Sequence, residues 1–130
     1  MTPKLGFSLE NFVLALAQLE KFIAIPISND RDRAGIIQAF KFTFEVAWKT
    51  VQKAVEQQGL EAGSPKMAFK AAFQIGWIKE SEQNNWTAML EDRNLTSHTY
   101  KENIASEVLN RICTLHLANL KLLYSRLTKE

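Results

Sequence analysis

Apolar positions recur along this chain at intervals of three and four residues, the spacing of one helix face. Leu9, Phe12, Leu16, Leu19 and Ile23 form the first such stripe. Ser8 precedes it as an N-cap, Pro26 stops it, and Ser28-Asn29-Asp30 forms the link. A second helix is predicted from about Asp32 to Gln58, with Gly59 as its stop. Its stripe is Ile37, Phe40, Phe44, Ala47 with Trp48, Val51 and Val55. Phe40-Lys41-Phe42-Thr43-Phe44 alternates like a strand, but it is embedded in the longer helical period, and a helix is expected. Glu45, four residues before Lys49, adds minor surface support.

Ser64-Pro65 restarts the chain as N-cap and first helical residue. The short third helix carries Met67 or Ala68, Ala71, Ala72 and Ile75, and ends at Gly76. Trp77 and Ile78 lead into the polar run Glu80 to Asn85, which caps a fourth helix holding Trp86, Met89, Leu90 and Arg93. The last helix is expected from near Thr99 to about Leu127. Its stripe is Ile104, Val108, Ile112, Leu115 or His116, Leu120 with Asn119, Leu123 and Leu127. Three long helices and two short ones with short links predict an all-α fold, an antiparallel four-helix-type bundle with an extra short helix.

Composition narrows the classes. At 130 residues the chain is one domain, residues 1–130, large enough for a core without staples. Five Gly and three Pro are few, which favours long regular elements over many turns. The single cysteine, Cys113, excludes an internal disulfide and fits a reducing cytoplasm. Lys21 and the acidic residues interrupt the apolar positions of the first segment, so no signal peptide is expected. No apolar run is long enough for a membrane span. A net charge of +2 does not argue for nucleic-acid binding, so any such site must be a local patch.

The chemistry concentrates in Asp92-Arg93-Asn94-Leu95-Thr96-Ser97-His98-Thr99-Tyr100. On one continuous helix Arg93 and His98 lie about 140° apart and serve different faces. Thr99 and Glu102 have the spacing of a capping box, which predicts a new helix from Tyr100 and a break between Arg93 and His98. Both side chains can then point into one cleft. An imidazole suits proton transfer near neutral pH, and a guanidinium suits a fixed fork of donors to an anionic group. Asn94 can donate to phosphate or orient His98. Taken alone, the stretch favours a plainer account, with Arg93 neutralising its helix C-terminus and His98 filling the connection. Tyr100 is evenly divided between packing its ring and standing exposed for modification. Glu91 and Asp92 either hold the Arg93 side chain or are plain helix surface.

The ordered set Glu45-Val46-Ala47-Trp48-Lys49, Ser64-Pro65-Lys66, Ala72-Phe73, Gly76 and Arg93-Asn94-Leu95-Thr96-Ser97-His98-Thr99-Tyr100 resembles the HEPN superfamily. The likeness is in particular to its nucleotidyltransferase substrate-binding branch, which includes the HepT-type toxins. The signature of that branch is R-N-x-x-x-H-x-Y, and Arg93, Asn94, His98 and Tyr100 fill it. The resemblance covers roughly Ala34 to Arg126. It implies a helical bundle that forms a homodimer, and a small MNT-type nucleotidyltransferase antitoxin as partner. It also implies an RNA substrate cut without a metal or cofactor, with Arg93, Asn94 and His98 as catalytic residues. Silencing is implied by transfer of AMP onto Tyr100. Other members of the branch are named as substrate-binding subunits for the partner, and that is the alternative reading. The complete signature including Tyr100 favours the enzyme, since a docking surface has no need of that phenol.

Lys66, Lys70 and Lys101 are candidate RNA-binding residues that could track phosphates together with Arg93, although a scattered solvated surface is the plainer account of any one of them. His116 and Cys113 lack the neighbours of a metal site, and core or dimer-interface packing is expected of them. Phe40, Phe44 and Trp48 read as core aromatics. Trp77 and Trp86, near helix ends, are candidate partner contacts.

Overall fold

The computed structural model describes residues 2–129. It is an all-α bundle built of α1 (Pro3–Ala24), α2 (Asp30–Gln57), α3 (Pro65–Ile75), α4 (Gln83–Leu95), α5 (Glu102–Arg111) and α6 (Leu117–Leu127). A π-turn, Ile112–His116, joins α5 to α6, and short 3-10 turns at Glu80–Glu82 and Thr96–His98 flank α4.

The first two helix starts differ from the sequence-based expectation. Thr2, and not Ser8, caps α1, accepting from the Leu5 N–H (3.2 Å). Pro3 at the first helical position tolerates that start because its missing N–H would have no partner there. Ser8 lies inside the helix, buried, its hydroxyl 2.5 Å from that of Thr50. Asn29 caps α2 two residues earlier than expected, accepting from the Asp32 N–H (2.9 Å). Ser64 and Pro65 begin α3 as their chemistry dictates. Gly76 ends it at φ 101°, a left-handed position that strains a residue with a Cβ.

Ser8 faces Thr50 and Ala15 faces Thr43, so α1 and α2 run antiparallel. On α6, Lys121 meets Glu20 and Tyr124 packs edge-on against Phe12, so α6 returns along α1. The core between them centres on Phe12, Leu19, Phe40, Phe44, Val51 and Leu120, all fully buried. Each such side chain contributes about 1.5–3 kcal/mol on leaving water. Arg126 ties the α3–α4 connection to the end of α6, donating to Glu82 Oε1 and Oε2 (2.5 and 2.9 Å) and to the Trp77 carbonyl (3.0 Å). Trp86, 4% exposed, packs on Phe69 at the edge of the core and does not project from the surface as a partner contact would.

Candidate functional site at the α4 to α5 junction

Three hydroxyls end α4. Thr96 Oγ1 donates to the Arg93 carbonyl (2.6 Å), Ser97 Oγ to the Asn94 carbonyl (3.0 Å), and Thr99 Oγ1 to the Thr96 carbonyl (3.2 Å). Short polar side chains here replace the N–H groups that a continuing helix would supply. The capping box expected at Thr99 and Glu102 does not form, because the Thr99 hydroxyl is turned back toward Thr96. Tyr100 therefore lies in the connection, and α5 begins at Glu102 with Lys101 before it. Arg93 sits in the last turn of α4 and His98 ends the 3-10 turn, so the break between them is real.

Arg93 is fixed on three sides. Its Nε donates to Glu45 Oε1 (2.7 Å), and Nη2 lies 2.5 Å from the same oxygen. The guanidinium stands over the Phe44 ring, 5.5 Å from its centroid, and Nη1 donates to Asn94 Oδ1 (3.4 Å). The other Glu45 oxygen accepts from Trp48 Nε1 (3.0 Å). Glu45 thus holds Arg93, and the pairing with Lys49 expected from spacing is not made. His98 is exposed, its Nδ1 3.4 Å from the Tyr100 hydroxyl. Tyr100 is 76% exposed, so its phenol is open to solvent. Among the described residues no hydrogen bond joins the Arg93–Asn94 pair to the His98–Tyr100 pair.

Asp92 faces the other way. It is buried and neither plain surface nor a holder of Arg93. Its Oδ2 accepts from His116 Nε2 (2.6 Å) and Arg111 Nε (2.7 Å), and its Oδ1 accepts from Arg111 Nη2 (2.8 Å). Burial pushes this carboxyl up, but the bonds from His116 and Arg111 outweigh it and leave it below the ordinary aspartate value. The Arg111 guanidinium is raised in turn by Asp92. His116 is fully buried and stacked on Phe40 at 5.3 Å, with Nδ1 unpartnered among the described residues. That geometry suits the tautomer with the proton on Nε2, since an orphaned N–H costs more than an unpaired lone pair.

The π-turn explains why one carboxylate collects both partners. In an α-helix Arg111 and His116, five apart, diverge by about 140°. The wider π-turn brings residues five apart onto one face. Spacing rules for α-helices therefore miss this cluster, and the only sequence signal was the ambiguity between Leu115 and His116 in the apolar stripe.

Of the candidate lysines, Lys66 and Lys70 line one groove between α3 and α4, while Lys101 is exposed in the connection before α5 and does not line it. Cys113 is exposed.

A family model described as nucleotidyltransferase substrate binding protein like matches residues 7–129. The chain belongs to that family. A Haemophilus influenzae relative named probable ribonuclease HepT is 30% identical over 112 residues, covering 82% of this chain and 75% of that protein. A solved Thermus thermophilus structure superposes with a TM-score of 0.84 at 31% identity, over 91% of this chain and 99% of that one. An H. influenzae structure, described as revealing the fold of a substrate-binding domain of a nucleotidyltransferase, gives a TM-score of 0.69 at 28% identity. It covers 97% of this chain and 96% of that one. A toxin–antitoxin structure solved with AMP-PNP shares the fold, at a TM-score of 0.64 and 12% identity over 98% of this chain and 100% of that one. Within the family this member falls in the HepT-type HEPN branch that the motif implied.

Proposed function

We propose that this protein is a HEPN-type toxin, a metal-independent endoribonuclease silenced when a partner nucleotidyltransferase transfers AMP to Tyr100. The observation that carries the reading is the exposed His98–Tyr100 pair one short turn beyond a guanidinium held by Glu45 and Asn94. The name of the H. influenzae relative supports it. In this reaction an unprotonated His98 takes the 2′-hydroxyl proton and the 2′-oxygen attacks the adjacent phosphorus. The bond to the 5′-oxygen breaks, and that oxygen takes a proton from an imidazolium. The products are a 2′,3′-cyclic phosphate and a 5′-hydroxyl. Arg93 offers fixed donors to the phosphoryl oxygens as charge grows on them, and Asn94 adds an amide donor. One chain supplies one such imidazole, so a homodimer provides both base and acid. Lys66, Lys70 and Lys101 contact the RNA backbone, and the protein works in the cytoplasm.

The exposure of Tyr100 supports the silencing step of this reading. The Tyr100 oxygen attacks the α-phosphorus of ATP, pyrophosphate leaves, and the phenol proton passes to a base of the transferase. The new phosphodiester pairs with Arg93 and takes the place of the RNA phosphate.

A second reading, a substrate-binding subunit that does not cut, is favoured by one feature. Arg93 is already engaged by Glu45 and makes no hydrogen bond to His98. Incubating the purified protein with total RNA in chelator decides between them. Cleavage by wild type, absent in Arg93→Ala and His98→Ala, is expected; retention of RNA without cleavage moves the second reading ahead.

A further inference from the structure

Helices α3 and α4 enclose a groove of about 290 Å³ floored by Phe69, Phe73, Ile78, Trp86 and Leu90. Lys66 and Lys70 line it from α3, Gln83 and Thr87 from α4, and no carboxylate is among the described lining residues. Both lysines are exposed, and among the described residues neither has an ion-pair partner. The floor is held in place by aromatic packing. Phe69 lies 4.7 Å from Trp86 and 5.7 Å from Phe44, centroid to centroid, and Phe44 carries the Arg93 guanidinium on its ring.

The α4 wall of the groove lies on the helix face that also carries Asn94. Gln83, Thr87, Leu90 and Asn94 recur at four, three and four residues and so share one face of α4. Leu90 and Asn94 are one turn apart, about 6 Å along the axis. An apolar aromatic slot with two unpaired ammonium groups suits a ligand with a flat apolar body and anionic links, which describes a nucleotide in a single strand. A protein segment would need its own carboxylates to match both lysines, and the nearness of Asn94 on the same α4 face gives it no advantage.

We propose that this groove is a nucleobase subsite for single-stranded RNA. It seats the base of a nucleotide flanking the phosphate at Arg93 and Asn94, while Lys66 and Lys70 meet the neighbouring backbone phosphates. The inference rests on the ribonuclease reading of the motif and adds to it the strandedness of the substrate and the path it takes. Gln83 can donate to or accept from a base edge, so the subsite needs no single base.

The test uses the full chain and a 2′-O-methyl RNA oligonucleotide, which cannot be cut because its nucleophile is blocked. With 5-iodouridine in the strand, ultraviolet light should cross-link it to peptides bearing Phe69, Phe73 or Trp86. Replacing the bases by abasic sites should weaken binding about tenfold, the loss expected of one stacked base. Lys66→Gln with Lys70→Gln should lower the slope of log affinity against log salt by about 1.4, or 0.7 for each phosphate no longer neutralised. Both lysines are exposed, so the double variant should fold. Cross-links confined to other peptides, or an unchanged salt slope, overturn the proposal. Protection of this groove by the purified nucleotidyltransferase and not by the oligonucleotide also overturns it, in favour of a protein-docking face. RNA cleavage with no cross-link here sinks the subsite alone. A groove cross-link in a protein that never cuts keeps the subsite and removes the ribonuclease reading.

Discussion

Replacing Asp92 by Asn keeps the side chain's shape and removes its charge, which tests the carboxylate as the point joining α4 to the last helix. In the wild type this group accepts three hydrogen bonds, two from Arg111 and one from His116. An amide presents one accepting end and one donating end, so at least one existing donor loses its acceptor. His116 is fully buried and has no water to turn to, whereas the Arg111 side chain is 35% exposed and can be resolvated. Breaking a fully buried ion pair costs about 3–5 kcal/mol, and the exposure of Arg111 lowers the expected loss to about 2–3 kcal/mol. With a urea slope of about 1–3 kcal/mol per molar, the unfolding midpoint should fall by roughly 0.7–3 M. Glu91→Gln, a neutralisation at the exposed neighbouring position, should change stability by less than about 0.5 kcal/mol. Asp92→Asn combined with His116→Phe should show a coupling of about 1–3 kcal/mol in a double-mutant cycle. An Asp92→Asn midpoint indistinguishable from that of Glu91→Gln would falsify the claim that this carboxylate ties the helices together.

The same group sets an acid dependence. Its folded value lies below the ordinary 3.8, so its stabilisation is present above that pH and is lost as pH falls through the folded value. Glu82, lowered chiefly by its bond from Arg126, behaves alike below 4.5. Urea midpoints of the wild type should therefore drop in acid, with a shallower drop in Asp92→Asn; parallel profiles would remove Asp92 from the account. Glu45→Gln should cut RNA about ten- to a hundredfold more slowly at a stability cost of about 1–2 kcal/mol, because Arg93 loses its charged anchor while its stack on Phe44 remains; an unaltered rate would show that Glu45 does not orient Arg93. Tyr100→Phe should fold and cleave like wild type yet gain no AMP from the co-expressed partner and ATP, as read by mass spectrometry, and addition at another residue would displace Tyr100 from the proposal.

The helical class, the order of the helices and the buried stripes through Phe12, Phe40, Phe44, Val108 and Leu120 are local properties. They follow from a 3.6-residue period and from stop signals such as Ser64-Pro65 and Gly76, which act through their immediate neighbours. The family signature was legible for the same reason, since Arg93, Asn94, His98 and Tyr100 lie within one short stretch. The helix starts were less so, because many short polar side chains compete to cap. Thr2 and Asn29 won those places, while Ser8 and Thr99 found partners elsewhere.

What only the tertiary structure decided is which distant groups meet. Glu45 reads as the partner of Lys49 by spacing, yet α2 brings it to Arg93, 48 positions along the chain. Arg111 and His116 converge on Asp92 only through a π-turn, a local widening with no strong residue signature that an α-helical period cannot anticipate. Lys66 and Lys70 share a face in any helix, but the packing of α4 against α3 gives that face an apolar groove. Periodicity reports the side of a helix that leaves water, and the neighbours it finds there depend on how all the helices pack at once.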